Sequence, residues 1–426
     1  MCHESKPQEE EIINKFSKPD TNDQNPYSKH DPYPKSLRGG DANFMEQLLL
    51  HCATAIDSND AALAHQILWV LNNVAPPDGD STQRLISSFL RALLARAVSK
   101  LPALFSTVGF LPPAEEIHRF SVVELAGFVD LTPWHRFGFI AANAAILTAV
   151  EGYSTVHIVD LSLTHCMQIP TLIDAMANRL NKPPVLKLTV VPSSDLPPFI
   201  NISYEELGSK LINFATTRNI EMQFTIIPSS YSDGFSSLLQ QLRIYPSSFN
   251  EALVVNCHMM LRYIPDETLT SSSSSIRTVF LKQLRSLNPT IVTLIEEDVD
   301  LTSENLVTRL RSAFNYFWIP FDTTDTFMSE QRRWYEAEIS WKIENVVAKE
   351  GAERVERTET KRRWIERMRD AEFGGVRVKE EALSDLKAML EEHAVGWGMK
   401  SEDDDESVVL TWKGHSVVFA TVWVPV

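Results

Sequence analysis

VHIVDLSLTHC (Val156–Cys166) is the stretch that decides the fold. Val156, Ile158 and Val159 flank His157 and lead into Asp160, the pattern of a buried parallel strand that carries a carboxylate to the mouth of a sheet. Cofactor-binding α/β folds place a glycine-rich turn after such a strand, because backbone must approach the ligand. Here the turn is Leu161-Ser162-Leu163-Thr164-His165-Cys166, with no glycine. Three readings follow: a cofactor site, a site that has lost its cofactor, or simply a strand in a core.

Working outward from this strand, apolar runs and helical patterns alternate. A helix over 168–179 is followed by VLKLTVV (185–191), a helix over 204–217, EMQFTII (221–227) and a helix from Phe235. EALVVNC (251–257), a helix over 276–287 and TIVTLIEE (290–297) complete the series. Strands and helices at this spacing imply βαβ units and a parallel sheet. Helices are expected over 328–349 and 354–372, and SVVLTWKG (407–414) with HSVVFATVW (415–423) reads as an edge hairpin turning at Lys413-Gly414. The fold class is therefore α/β: a Rossmann-like, methyltransferase-type sheet with a C-terminal antiparallel hairpin.

Upstream the texture is helical. Phe44, Leu48, Leu49, Cys52 and Ile56 recur three or four apart, and the pattern returns over 61–74, 82–98 and 131–150. Residues 41–150 are expected to form an α-helical cap and lead-in, with 151–426 the α/β core, interrupted by a helical insertion at about 325–372. Residues 1–40 are expected to be a disordered tail, since charges and five prolines dominate its first 36 positions. A Ser-rich stretch (270–275) is expected to be a flexible loop before a helix, and the acidic run EDDDE (402–406) a solvated loop.

Composition narrows the class. Of 426 residues 44% are hydrophobic and 23% charged, ordinary values for a chain with a large core. The net charge of −16 disfavours a phosphate-wrapping surface, although it leaves room for a local basic patch. Cys2, Cys52, Cys166 and Cys257 lie far apart, so reduced thiols are expected rather than a disulfide or zinc framework. The polar N-terminus and the lack of a run of ~20 apolar residues predict neither signal peptide nor membrane span, hence an intracellular, soluble protein.

Several segments together carry a family resemblance. VHIVD (Val156, His157, Ile158, Val159, Asp160) resembles the VHIID motif of the GRAS family of plant transcriptional regulators. The helical stretch 48–96 is similar to that family's first leucine-rich region. Pro289 with the strand after it, Tyr316 in NYFWIPFD, and Arg354 and Glu356 in the Arg-Val-Glu-Arg element resemble its PFYRE region. Trp397-Gly398, Trp412 and Trp423 resemble its SAW motif, with Ala420-Thr421-Val422-Trp423 in place of Ser-Ala-Trp. Agreement in order and spacing spans about 41–426 and points to the scarecrow-like branch. The resemblance implies a nuclear, non-enzymatic scaffold that joins DNA-binding transcription factors or other GRAS proteins, as homo- or heterodimer, without cofactor, metal or membrane. It leaves direct DNA contact open. The alternative is an S-adenosylmethionine-dependent methyltransferase or small-ligand receptor using the open end of the sheet.

Individual residues are weighed against plainer roles. Asp160 has the position to hold a ribose or amino group, but the side chains of its turn obstruct both positive φ and close approach. It is expected instead to cap the next helix or bond backbone at the junction. His157 is expected to be a core histidine with a partner, and the pair His165-Cys166 lacks further ligands for a metal or nucleophile reading. Leu90, Leu93 and Leu94 match the Leu-x-x-Leu-Leu docking pattern, yet core-facing leucines on one helix give the same spacing. The segment 353–370, with seven basic and five acidic residues, is expected to be an exposed helix laced with ion pairs. Trp397, Trp412 and Trp423 are expected in the core. No Walker loop, Gly-x-Gly-x-x-Gly or Gly-x-Ser-x-Gly occurs.

Overall fold

A computed structural model describes residues 40–102, 117–179, 182–193, 195–244, 250–269, 275–401 and 406–426. Residues 1–39 of the expected N-terminal tail (1–40), most of the Ser-rich loop and residues 402–405 of the acidic run lie outside the described residues, and Gly40 already belongs to the first helix.

The chain enters through α1 (Gly40–Asp57), α2 (Ala61–Val74) and α3 (Ser81–Lys100). Local signals fix their starts. Asp60 accepts from Leu63 N, and Asp80 with Gln83 forms a reciprocal capping box at the head of α3. A two-residue strand β1 (Arg119–Phe120) precedes α4 (Val122–Asp130), which Ser121 and Glu124 cap in the same way. Helix α5 (Pro133–Ala149) then begins with Thr132 as cap and Pro133 in its first turn.

The sheet follows: β2 (Thr155–Ser162), α6 (Ile169–Arg179), β3 (Val185–Val190), a short β4 (Phe199–Ile200) paired with β1, α7 (Tyr204–Thr217) and β5 (Met222–Ile226). Then come α8 (Ser236–Ile244), β6 (Glu251–His258), α9 (Ile276–Ser286) and β7 (Ile291–Glu297). Helices α10 (Leu306–Thr323), α11 (Ser329–Ala348) and α12 (Lys361–Asp370) precede β8 (Phe373–Val376) and α13 (Glu380–Glu391). Strands β9 (Trp397–Ser401), β10 (Ser407–Trp412) and β11 (His415–Pro425) end the chain.

Strand order is β5-β3-β2-β6-β7-β11-β10-β9, with β8 also on β11. The five strands expected to be parallel are parallel, and every residue of β6 and β7 is buried, as a two-sided sheet requires. Lys413 (φ 48°) and Gly414 (φ 86°) make the expected tight turn. The hairpin is not at the edge, however. β11 inserts antiparallel between β7 and β10, and β9 takes the outer position. The sequence could not show this, because the alternation of a strand does not reveal how many neighbours it has.

Helix α5 lies on β6, β7 and β11, while α10 and α11 pack with α1 and α3 to make the helical layer beside the sheet. The expected helix over 354–372 is corrected: residues 354–360 carry no helix, and α12 starts at Lys361. Arg354, Glu356, Arg357 and Glu359 are buried there, so charges taken for a solvated face belong to the interior.

Candidate functional site

In the sheet register Asp160 of β2 stands beside Asn256 of β6, and Asn256 beside Thr293 of β7. The same three side chains are bonded in sequence across the strands. Asn256 Nδ2 donates to Asp160 Oδ1 at 2.7 Å, and Thr293 Oγ1 donates to Asn256 Oδ1 at 2.7 Å. Ser162 Oγ donates to Asp160 Oδ2 at 2.7 Å, and the Cys166 thiol bonds the same carboxylate. Gln168 at the head of α6 accepts from Asn256 at 3.0 Å and donates to Asn143 of α5 at 2.9 Å. Asp160 therefore ties β2 to β6 through side chains. It neither caps α6 nor bonds backbone, as the sequence had suggested.

Burial raises the Asp160 pKa, opposed by the bonds from Asn256, Ser162 and Cys166. Burial also pushes the Cys166 thiol up, and neighbouring Asp160 adds to it, so this cysteine is no thiolate nucleophile.

The turn after Asp160 adopts positive φ without glycine. His165 (φ 47°) and Cys166 (φ 63°) occupy the left-handed region, and Leu163, Thr164, His165 and Cys166 are all buried. His165 is held by Tyr204 OH at 2.7 Å from Nδ1 and by Pro198 O at 2.8 Å from Nε2. The strain of the left-handed conformation is thus met by specific partners. The expectation that a Cβ prevents positive φ is corrected, whereas the space that glycines leave for a ligand is filled by side chains. S-adenosylmethionine does not fit these residues: both Asp160 oxygens are engaged within the protein, and Leu163 and His165 of the turn are themselves buried. Among the described residues no group of three His, Cys, Asp or Glu is placed to hold a metal ion.

A second buried constellation lies where the ends of β6 and β7 meet the helical layer. Arg262 pairs with Glu296 at 2.6 Å, Glu297 at 2.5 Å and Glu356 at 3.4 Å, all four fully buried. Lys342 of α11 reaches Glu297 Oε1 at 2.9 Å, and Trp134 Nε1 of α5 donates to the same oxygen at 3.1 Å. Tyr263 OH donates to Glu356 Oε2 at 3.0 Å. Burial would push Glu297 up, but Arg262 and Lys342 more than offset it and hold the carboxyl down at about 2. Burial dominates at Glu296 and Glu338, whose pKa values are raised. A buried charge needs this pairing, since desolvating it alone costs several kcal/mol (~) per ion.

Comparison with known proteins matches the GRAS domain family model to residues 45–424. The chain belongs to the GRAS family. It is 89% identical over 398 residues to Scarecrow-like protein 32 of Arabidopsis thaliana, covering 93% of this chain and 97% of that protein. To the protein SHORT-ROOT of Arabidopsis thaliana it is 31% identical over 423 residues, covering 95% of this chain and 77% of the relative. The crystal structure of SCL7 in Oryza sativa matches with a TM-score of 0.70 at 24% identity, over 89% of this chain and 99% of that one. That likeness supports the Rossmann-like fold. GRAS relatives are plant transcriptional regulators.

The GRAS motif residues are dispersed in this structure. Val156, Ile158 and Val159 are core. His157 bonds Thr189 at 2.8 Å and faces Glu251 at 3.7 Å. Buried Pro289 leads into β7, and Tyr316 OH donates to Val417 O at 2.9 Å. Arg354 donates to Leu301 O at 2.9 Å, while Glu356 joins the Arg262 cluster. Trp412 Nε1 donates to Asp322 at 2.7 Å and Trp423 Nε1 to Thr421 at 2.9 Å. Half-buried Trp397 packs on Trp412 at 4.9 Å, with Gly398 opposite Thr411. Leu90 and Leu93 are buried in α3, with Leu94 half-buried, so the Leu-x-x-Leu-Leu face is turned inward. Sequence reasoning missed Asn256, Gln168, Arg262 and Lys342. A polar residue inside an apolar strand (Asn256) and two adjacent acids ending one (Glu296, Glu297) were the available signals.

Proposed function

We propose that this GRAS chain acts in the nucleus as a protein-interaction scaffold, binding DNA-binding transcription factors and other GRAS proteins, with any DNA contact made within such complexes. Residues 41–426 would work as one unit, with the helical cap and core as divided above and residues 1–40 as a tail. The observation that carries this reading is the closed strand end around Asp160. The position where a sheet of this topology would hold a ligand is occupied by interlocked buried side chains. Recognition then falls to the outer helices, where a 540 Å³ apolar groove lies between α4, α5, α6 and α7. The net charge of −16 supports leaving promoter choice to partners.

Affinity capture of the tagged protein from plant nuclei, read by mass spectrometry, tests the proposal. Recovery of transcription factors supports it, and their absence rejects it. Calorimetry with S-adenosylmethionine tests the methyltransferase alternative, which predicts binding that Asp160→Ala removes.

A further inference from the structure

A second groove, of 1250 Å³, runs along α11 on the side facing β1 and β4. Glu330, Arg333, Trp334, Ala337 and Trp341 line it from one stripe of the helix, spaced 3, 4, 7 and 11 residues from the first. Ala337 is small, so the two tryptophans stand as ridges on either side of a recess. The opposite wall is aromatic too. The His118 ring stacks on Trp334 at 4.5 Å with an interplanar angle of 16°, and Arg119 lies 5.2 Å over the Phe199 ring. Pro77 and Asp78, from the loop between α2 and α3, also line the groove.

The dimensions select one kind of occupant. Residues seven apart on a helix are about 10.5 Å apart along its axis. Prolines three apart in a polyproline II segment are separated by about 9 Å. One face of Trp334 is taken by His118, so its other face and Trp341 stand at about the repeat of a Pro-x-x-Pro ligand, which binds through preformed, low-entropy backbone to aromatic-lined grooves. The charges add direction. Glu336 is paired with Arg84 at 2.9 Å, whereas Asp78 and Glu330 are exposed and make no ion pair among the described residues. Two free carboxylates on the rim suit a cationic flank, while exposed Arg333 beside them leaves room for a single acid in the ligand.

We infer that this groove binds an extended proline-containing segment of a partner protein, with prolines three apart on Trp334 and Trp341 and an arginine or lysine flank against Asp78 and Glu330. The inference rests on the scaffold reading and names the chemistry of one partner class.

Titration calorimetry of the full chain with a short synthetic Pro-x-x-Pro peptide carrying flanking arginines tests it. Binding is expected, weakened about tenfold or more by Trp341→Ala and within about threefold of wild type in Trp341→Phe. Asp78→Asn with Glu330→Gln, both at exposed positions that leave folding intact, should weaken binding and flatten its salt dependence. Equal affinity for a peptide with alanine in place of both prolines overturns the assignment. So does unchanged affinity of the Asp78→Asn, Glu330→Gln protein, or sedimentation showing that Trp341→Ala splits a dimer, which would make the occupant a second copy. Absence of peptide binding overturns the groove even when nuclear capture recovers transcription factors, so its failure is distinct from failure of the scaffold reading.

Discussion

Asn256 stands level with Asp160 across β2 and β6 and donates a 2.7 Å hydrogen bond to its carboxylate. The residue that resembles a cofactor anchor is thereby a cross-strand tie. Removing it by Asp160→Ala leaves buried donors on Asn256 and Ser162 unpaired, at a cost of about 1–3 kcal/mol each way of counting. Urea denaturation should show that loss.

The same carboxyl predicts a pH signature. Its pKa is raised in the folded state by burial, so the folded protein holds the proton more tightly than the unfolded chain. Stability contributed by Asp160 is then greatest below the unfolded pKa of about 4 and is lost as pH rises through the folded value. Asp160→Asn keeps an acceptor for Asn256 and does not titrate. The stability of wild type relative to Asp160→Asn should fall as pH rises above about 4; a constant difference would count against the raised pKa.

Lys342→Met removes one of the two cations that hold Glu297 ionised in the interior. Breaking a buried pair from one side costs about 3–5 kcal/mol, far more than an exposed pair. Glu297 is depressed to about 2, so its stabilisation is present above the unfolded carboxyl value of about 4.3 and is lost as pH falls toward 2. Acid unfolding of Lys342→Met should begin at higher pH than that of wild type, measured by circular dichroism. An unchanged acid midpoint would show that Lys342 does not hold Glu297.

These two clusters show what the sequence could and could not reveal. The parallel strands were legible because Val, Ile and Leu crowd them, and α7 was legible to its ends because its apolar period is regular. Arg354, Glu356 and Arg357 misled for a physical reason: charged residues are almost never buried unless paired. Their partners Arg262, Leu301 and Asp266 lie elsewhere in the chain, joined by tertiary folding alone. Asp160 was found, yet its partner Asn256 sits on a strand 96 residues away, and no local spacing announces that pair.

Leu93 is fully buried on α3, which packs against α1, α10 and α11. Leu93→Ala should cost about 2–5 kcal/mol, read from the urea midpoint. Half-buried Leu94 provides the contrast. If the Leu-x-x-Leu-Leu segment docked partners, Leu94→Ala would abolish capture in a stably folded protein; capture is expected to survive.

Two helical glycines should respond in opposite ways to alanine. A Cβ on Gly138 of α5 would stand 2.7 Å from Ile295 Cγ2 and 3.0 Å from His258 Nε2, where β6 and β7 press on the helix. Helix propensity favours alanine by about 1 kcal/mol, but overpacking a close helix–sheet contact costs about 1–3 kcal/mol. The shift needed to relieve a 2.7 Å contact in a packed interior makes the loss prevail. Gly127 of α4 has nothing within 4 Å of its added Cβ, so Gly127→Ala should gain up to about 1 kcal/mol. Combining Gly138→Ala with Ile295→Ala tests the cause, because removing the Ile295 branches makes room for the new methyl group. The double variant should be more stable than the two separate losses predict, and strict additivity of the urea-derived values would place the damage elsewhere.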